Sequence, residues 1–143
     1  GFLLGIAAHA VIGSELFIFG GANWNDADKS VINTADANAF NSPTQQWRRL
    51  KPYPFAARGV TALALDEHRI YLAGGFTEPE RFLSEAFIYD VRTDTYTKAA
   101  PLPYAATVSL VLHDGFVYCL GGEDRKKHRT DACWRISVRQ LSD

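Results

Sequence analysis

The sequence has almost no net charge: 15 Lys and Arg stand against 16 Asp and Glu. A general pull toward nucleic acid or an anionic membrane surface needs a strong excess of one sign, so neither partner is expected, and a charged partner has to be recognised locally. Cysteine is scarce, with only Cys119 and Cys133, which form no Cys-x-x-Cys. The four histidines, His9, His68, His113 and His128, show no metal-ligand spacing. No transition metal is therefore expected. The sequence also lacks a P-loop, a dinucleotide glycine fingerprint and a Gly-x-Ser-x-Gly nucleophile elbow, and with them the usual signatures of nucleotide binding and serine hydrolysis.

What remains is 143 residues, 47% hydrophobic and 22% charged, which is enough for one globular domain with its own core and reads as neither disordered nor membrane-spanning. Two local features admit two readings each. The opening run from Gly1 to Ala10 has the outline of a signal-peptide tail with an A-x-A ending. It lacks a basic leader and aligns with later strands, so it is read as a strand. Cys119 and Cys133 fall in neighbouring strands, where a disulfide demands strict geometry, and two free thiols are the preferred reading.

Internal repetition organises the chain. Glycine pairs occur at Gly20-Gly21, Gly74-Gly75 and Gly121-Gly122, spaced by 54 and 47 positions. Each follows a short apolar run: Leu16-Phe17-Ile18-Phe19, Ile70-Tyr71-Leu72-Ala73 and Val117-Tyr118-Cys119-Leu120. Upstream, Gly5, Gly59 and Ala106 open strands rich in small residues, and Gly13-Ser14, Glu67-His68 and Asp114-Gly115 supply the hairpin turns. Downstream, Asp36-Ala37, Glu85-Ala86 and Asp131-Ala132 each precede a third strand. In the first two repeats an aromatic pair seven positions apart, Phe40 with Trp47 and Tyr89 with Tyr96, flanks a polar turn and opens a fourth strand. Between each glycine pair and its third strand runs a variable segment: 22–33, 76–83 and 123–130. The last, Glu123-Asp124-Arg125-Lys126-Lys127-His128-Arg129-Thr130, is densest in charge. By itself such a run reads as a solvated surface loop.

The glycine pair followed by an aromatic and a second aromatic seven positions later resembles the kelch motif, over nearly the whole chain. The third copy departs from it, because Arg135 takes the aromatic position and no fourth strand follows. The resemblance implies an all-β fold of three four-stranded antiparallel kelch-type β-propeller blades in a single domain over 1–143. The blades fall at about 1–51, about 56–100 and about 105–139, the last incomplete. Propellers close with about four to eight blades, and each blade buries its faces against two neighbours. Three blades are thus read as half of a six-bladed ring. The remainder comes from a longer polypeptide, from a second copy in a homodimer, or from another chain. The copper-bearing type of kelch enzyme needs a set of Tyr and His that cannot be assembled here.

A second resemblance is narrower. Gly122-Glu123 followed by Arg129-Thr130-Asp131-Ala132 is similar to a segment of the sialic acid mutarotases (N-acetylneuraminate epimerases), which are six-bladed kelch propellers. Gly20-Gly21-Ala22-Asn23, Gly1-Phe2 and Ala57-Arg58-Gly59-Val60 resemble other segments of that family, in an order like its circularly permuted members. This implies a cofactor-free sugar isomerase, periplasmic or secreted, with Glu123 and Arg129 as catalytic residues. Anomer exchange requires a base for the anomeric hydroxyl proton and an acid for the ring oxygen, and a carboxylate suits one of those roles. A guanidinium suits the sugar's own carboxylate, a role for Arg129 with Arg58 and Arg81 as further candidates. Asn23 and Trp24 offer a polar contact and a stacking surface. For each of these the competing role is structural: a rim ion pair for Arg58, a solvated tip for Arg81, edge packing for Trp24. The alternative for the whole chain is a kelch module that presents its loops to a protein partner without catalysis. Convergence of Glu123, Arg129 and Arg58 near the propeller axis favours the enzyme; outward splay favours the interaction module.

Overall fold

Short apolar runs interrupted by Gly, Asp and Asn turns satisfy their backbone hydrogen bonds by pairing with the next run across the turn. The computed structural model of the chain describes residues 5–142. Gly1 and Phe2, and with them one of the expected likenesses, lie outside the described residues, as do positions 3 and 4 of the opening segment. Its later part, from Ala8, is a strand.

The first repeat contains β1 (Ala8–Ile12), β2 (Glu15–Phe19), β3 (Ala22–Asn25), β4 (Ser30–Asn33), β5 (Ala37–Asn41) and β6 (Gln46–Arg49). The second contains β7 (Thr61–Ala64), β8 (Arg69–Ala73), β9 (Phe76–Thr77), β10 (Arg81–Phe82), β11 (Ala86–Asp90) and β12 (Thr95–Ala99). The third has β13 (Thr107–His113), β14 (Phe116–Arg125) and β15 (His128–Ser137), followed by a 3-10 helix at Val138–Ser142. Two four-stranded antiparallel sheets result, β1-β2-β5-β6 and β7-β8-β11-β12, with a three-stranded sheet, β13-β14-β15, for the third repeat. The pairs β3-β4 and β9-β10 are separate two-stranded hairpins projecting from the ends of the first two blades. The fold is therefore the all-β row of propeller blades that the repeats imply. No helix among the described residues is long and apolar enough to cross a membrane.

Strand register decides which face of each blade is apolar. Residues opposite one another in an antiparallel pair share a face. In the first blade Ala8, Phe19 and Ala37 form one row and Ala10, Phe17 and Ala39 the next. This face packs on Ile70, Leu72, Phe87 and Tyr89 of the second blade. The other face of the second blade, with Tyr71, Ala73, Ala86 and Ile88, packs on Val117 and Cys119 of the third. Each fully buried large side chain in these two layers contributes about 1.5–3 kcal/mol. The small residues of β1 and β7 let these inner strands lie close together.

The seven-position aromatic pairs sit directly across neighbouring strands, Phe40 opposite Trp47 and Tyr89 opposite Tyr96, with ring centroids 5.0 and 4.9 Å apart. The tyrosines also fasten the chain between the blades. Tyr96 donates its hydroxyl hydrogen bond to the Lys51 carbonyl, while Asp94 accepts from both the Tyr89 hydroxyl and the Lys51 amide. Burial pushes both phenols well above their ordinary pKa, so they remain donors. In the third repeat Arg135 lies over the Phe116 ring instead.

The third variable segment is not a loop. Strands β14 and β15 run through the glycine pair and through residues 123–130 as one long hairpin that turns at Lys126-Lys127. The cysteines are both free. Cys119 stands opposite Trp134 and Cys133 opposite Leu120, so they occupy adjacent rows and point to opposite faces of the sheet.

The outer face of the first blade exposes Val11 and Trp47, 61% and 55% accessible, and that of the third exposes Val111 and Leu120. Between blades, the Gly21 amide donates to the Ala57 carbonyl at 2.8 Å, and the Gly75 amide to the Ala106 carbonyl at 2.9 Å. The preceding glycines, Gly20 and Gly74, have positive φ (60° and 69°), and a Cβ on either would collide with that same carbonyl, at 2.6 Å for Gly20. Gly74→Ala is accordingly expected to destabilise the fold by more than about 1 kcal/mol, read as a lower urea midpoint. An unchanged midpoint would mean that Ala106 does not dock on this turn.

Candidate functional site

Three segments meet at one end of the blades. The link between the first two blades brings Arg58 and Gly59, and Arg58 exchanges backbone hydrogen bonds with Phe76 at 3.0 and 2.8 Å. The hairpin β9-β10 brings Phe76, Glu78, Glu80 and Phe82. The third blade brings Thr107, Glu123 and Arg125, with Lys126 at the turn. Between them lies an open cleft of about 540 Å³, completed by Ile6. A cleft of this size suits a small ligand. Its apolar wall is the edge-to-face pair Phe76 and Phe82, centroids 5.1 Å apart. Six of the other lining residues are charged: Arg58, Glu78, Glu80, Glu123, Arg125 and Lys126.

Glu123 stands beside two shifts of strand register, one before Gly122 and one between Glu123 and Arg125. Such bulges re-aim side chains. Its Oε1 accepts the Lys127 amide at 2.8 Å and pairs with the Arg129 guanidinium at 3.1 Å, and both contacts fall on the same oxygen. Arg129 lies directly opposite Glu123 across the ladder but is two-thirds exposed and outside the cleft wall. Arg58 lines the cleft and is well held. It donates to Asn33 Oδ1 at 2.7 Å, pairs with Glu78 at 3.0 Å and lies over the Phe76 ring at 4.5 Å. Glu80 and Lys126 join across the cleft mouth at 2.9 Å, a contact that lowers the Glu80 pKa and raises that of Lys126. At the hairpin tip the His128 ring holds the Asp124 carboxyl below the usual range.

The structure thus brings Glu123 and Arg58 into one cleft, with Arg129 behind Glu123. It does not bring the other three candidates there. Arg81 is on β10 next to Phe82, yet it turns away to pair with Glu85 at 2.9 Å and to lie over Phe55. Asn23 and Trp24 are on β3 and do not line the cleft. Trp24 is 53% exposed, its indole donates to Asp26, and it does not stack over the cleft. Sequence reasoning missed Phe76, Phe82, Glu78, Glu80, Arg125 and Lys126. Phe76 had a signal, since it directly follows the second glycine pair; the acids had none, because only the folding of β9-β10 toward the third blade places them.

A second cavity of about 370 Å³ lies between the second and third blades. It is lined by Tyr71, Leu102, Leu110, Cys119 and Trp134, with Arg135 its charged side chain, and has no carboxylate. Among the described residues no group of three or more His, Cys, Asp or Glu is arranged to hold a metal ion.

Residues 60–103 match the kelch motif. Kelch-like protein 35 of Mus musculus is 31% identical over 127 residues, covering 88% of this chain and 20% of that protein. N-acetylneuraminate epimerase of Salmonella typhi is 22% identical over an alignment covering 87% of this chain and 41% of the enzyme. The solved structure of YjhT superimposes with a TM-score of 0.82 at 18% identity, over 96% of this chain and 50% of the YjhT chain. The chain spans about a fifth of the length of the Kelch-like relatives it matches. It is a run of kelch repeats that resembles the sialic acid mutarotases.

Because Arg58 ties Asn33 of the first blade to Glu78 and Phe76 of the second, Arg58→Ala is expected to cost roughly 1–3 kcal/mol of stability. Lys126→Ala, which breaks an exposed ion pair, is expected to leave the melting temperature unchanged. Thermal denaturation of the two variants checks this, and equal melting temperatures would remove Arg58 from its bracing role.

Proposed function

We propose that this run of kelch blades binds an acidic sugar of the N-acetylneuraminate type in the cleft lined by Arg58, the β9-β10 hairpin and Glu123, and that it accelerates exchange of the sugar's anomers without a cofactor. One observation carries the reading: Glu123 lines the cleft with Oε1 tied to the Lys127 amide and Arg129 while Oε2 has no hydrogen-bond partner among the described residues. A carboxylate fixed through one oxygen and open at the other is arranged to take a proton from a bound hydroxyl. The N-acetylneuraminate epimerase relative supports the substrate class, and the resemblance of Gly122-Glu123 and Arg129-Thr130-Asp131-Ala132 to a segment of the sialic acid mutarotases supports the residues.

In this scheme Glu123 takes the proton of the anomeric hydroxyl. The electron pair of that O–H bond becomes the second bond of a carbonyl, the bond from the anomeric carbon to the ring oxygen breaks, and water delivers a proton to that oxygen. After rotation about the bond to the carbonyl carbon the transfers run in reverse: the hydroxyl returns its proton to the hydroxide left by water and attacks the other face of the carbonyl, and Glu123 gives its proton to the new anomeric oxygen, giving the other anomer. Arg129, paired with Glu123 outside the cleft wall, is a positioning residue that holds the base in line. Arg58 supplies fixed positive charge on the opposite wall, and Phe76 with Phe82 offers a surface for an apolar part of the sugar.

A second reading, a docking module without catalysis, draws on the Kelch-like relatives and on the exposed charged tip of the β14-β15 hairpin. One assay separates the two. NMR-followed anomer exchange of N-acetylneuraminate is expected to be accelerated by the wild-type chain, and the acceleration to fall by about 100-fold or more in Glu123→Gln. Equal rates with and without the wild-type chain would sink the enzyme reading in favour of docking, and an unimpaired Glu123→Gln would remove Glu123 from its role.

The apolar outer faces of the first and third blades are, on this proposal, the joints through which a six-bladed ring closes. Light scattering at micromolar concentration distinguishes the sources of the other blades. About twice the monomer mass is expected if a second copy supplies them; a monomer would rule that out and leave further blades of a longer polypeptide or of another chain.

A further inference from the structure

We infer that the carboxylate of the ligand is held by Arg125, rather than by the arginines that the family resemblance nominates. The inference rests on reading the cleft as an acidic-sugar site and names the group that makes it one.

The cations at the cleft divide by how far their donors are already committed. Arg58 is engaged by Asn33, Glu78 and the Phe76 ring. Lys126 is engaged by Glu80. Arg129 is engaged by Glu123 and does not line the cleft. Arg125 lines the cleft, and its guanidinium has neither an ion pair nor a hydrogen bond among the described residues. Its sequence neighbour Asp124 does not claim it, because that carboxyl is taken by His128 across the hairpin.

Position strengthens the case. Arg125 is two residues beyond Glu123 on β14, with the register shift between them, and both side chains reach the same cleft. A ligand carboxylate bound by the Arg125 fork would set the adjoining carbon of a 2-keto sugar acid, the anomeric one, beside Glu123. The anion would meet unspent donors in a fixed planar array without breaking any existing pair. The three carboxylates of the wall, Glu78, Glu80 and Glu123, each have a cation of their own, so they do not compete for Arg125. The ligand class that fits is a small organic carboxylate with an apolar portion for Phe76 and Phe82.

The test is ligand-observed NMR titration of the full chain with N-acetylneuraminate and with its methyl ester, which keeps the sugar and loses the charge. Wild type is compared with Arg125→Gln and Arg125→Lys, and circular dichroism verifies that each is folded. Arg125→Gln is expected to weaken N-acetylneuraminate by about 10- to 100-fold and to leave the weaker ester binding unchanged, with partial recovery in Arg125→Lys. Wild-type affinity for N-acetylneuraminate in Arg125→Gln would overturn the assignment alone and leave the sugar site standing, as would equal losses for acid and ester. Absence of wild-type binding to either compound would sink the acidic-sugar reading itself, and the Arg125 assignment with it.

Discussion

Where one blade meets the next, a backbone carbonyl occupies space that no side chain can share. The Ala57 oxygen rests over Gly20 and accepts the Gly21 amide, and the Ala106 oxygen does the same at Gly74 and Gly75. Both alanines are fully buried, and their own amides return to Thr34 and Leu83 of the blade before. This reciprocal contact fixes how far apart successive sheets stand. It thereby sets the gap that Phe17, Phe19, Ile70 and Leu72 fill on one side and Tyr71, Ile88 and Val117 fill on the other. Apolar burial supplies the larger free energy, but it is non-directional and does not choose an angle or spacing. The glycine contacts do.

The cleft follows from the same contacts. Immediately after Gly75 the chain enters Phe76, whose backbone pairs with Arg58, one residue beyond the docked Ala57. The inter-blade joint is thus continuous with the cleft wall, and Arg58 braces it further through Asn33 and Glu78. On the far side the third glycine pair behaves differently. A Cβ on Gly121 or Gly122 would meet Thr130 or Thr107 of its own blade, and the strands continue through the pair into the charged hairpin. The departure of the third repeat from the first two is what carries Glu123, Arg125 and Lys126 out to face β9-β10.

Charge in this region is arranged in pairs rather than as a field. Each acid on the cleft wall has its own cation, and the chain as a whole is nearly neutral. Such an arrangement holds two hairpins in register and still leaves particular atoms free, here one oxygen of Glu123 and the Arg125 guanidinium. Recognition of an anion by such a site is local and falls off quickly with distance in salt. This agrees with a small ligand better than with a polyelectrolyte.

The sequence alone determined the blades. The glycine pairs, the apolar quartets before them and the aromatic pairs seven apart are local patterns with one physical solution each, a turn, a strand and a cross-strand contact, and the first two repeats made that solution legible twice over, while the third kept the apolar strand and departed from the rest. It also singled out Glu123 and Arg58. Only the tertiary structure decided which charges share a cleft. It turned Arg81 toward Glu85, left Trp24 on a projecting hairpin, set Arg129 behind Glu123 and opened Arg125 to the cavity. Some of these pairings are local, as Arg81 with Glu85, but the cleft itself also depends on side chains from segments about 25 to 46 positions apart, such as Asn33 with Arg58 and Glu80 with Lys126. Long flexible charged side chains on exposed hairpins take the partner that the packed blades bring within reach, and that proximity is not written in the order of residues along the chain.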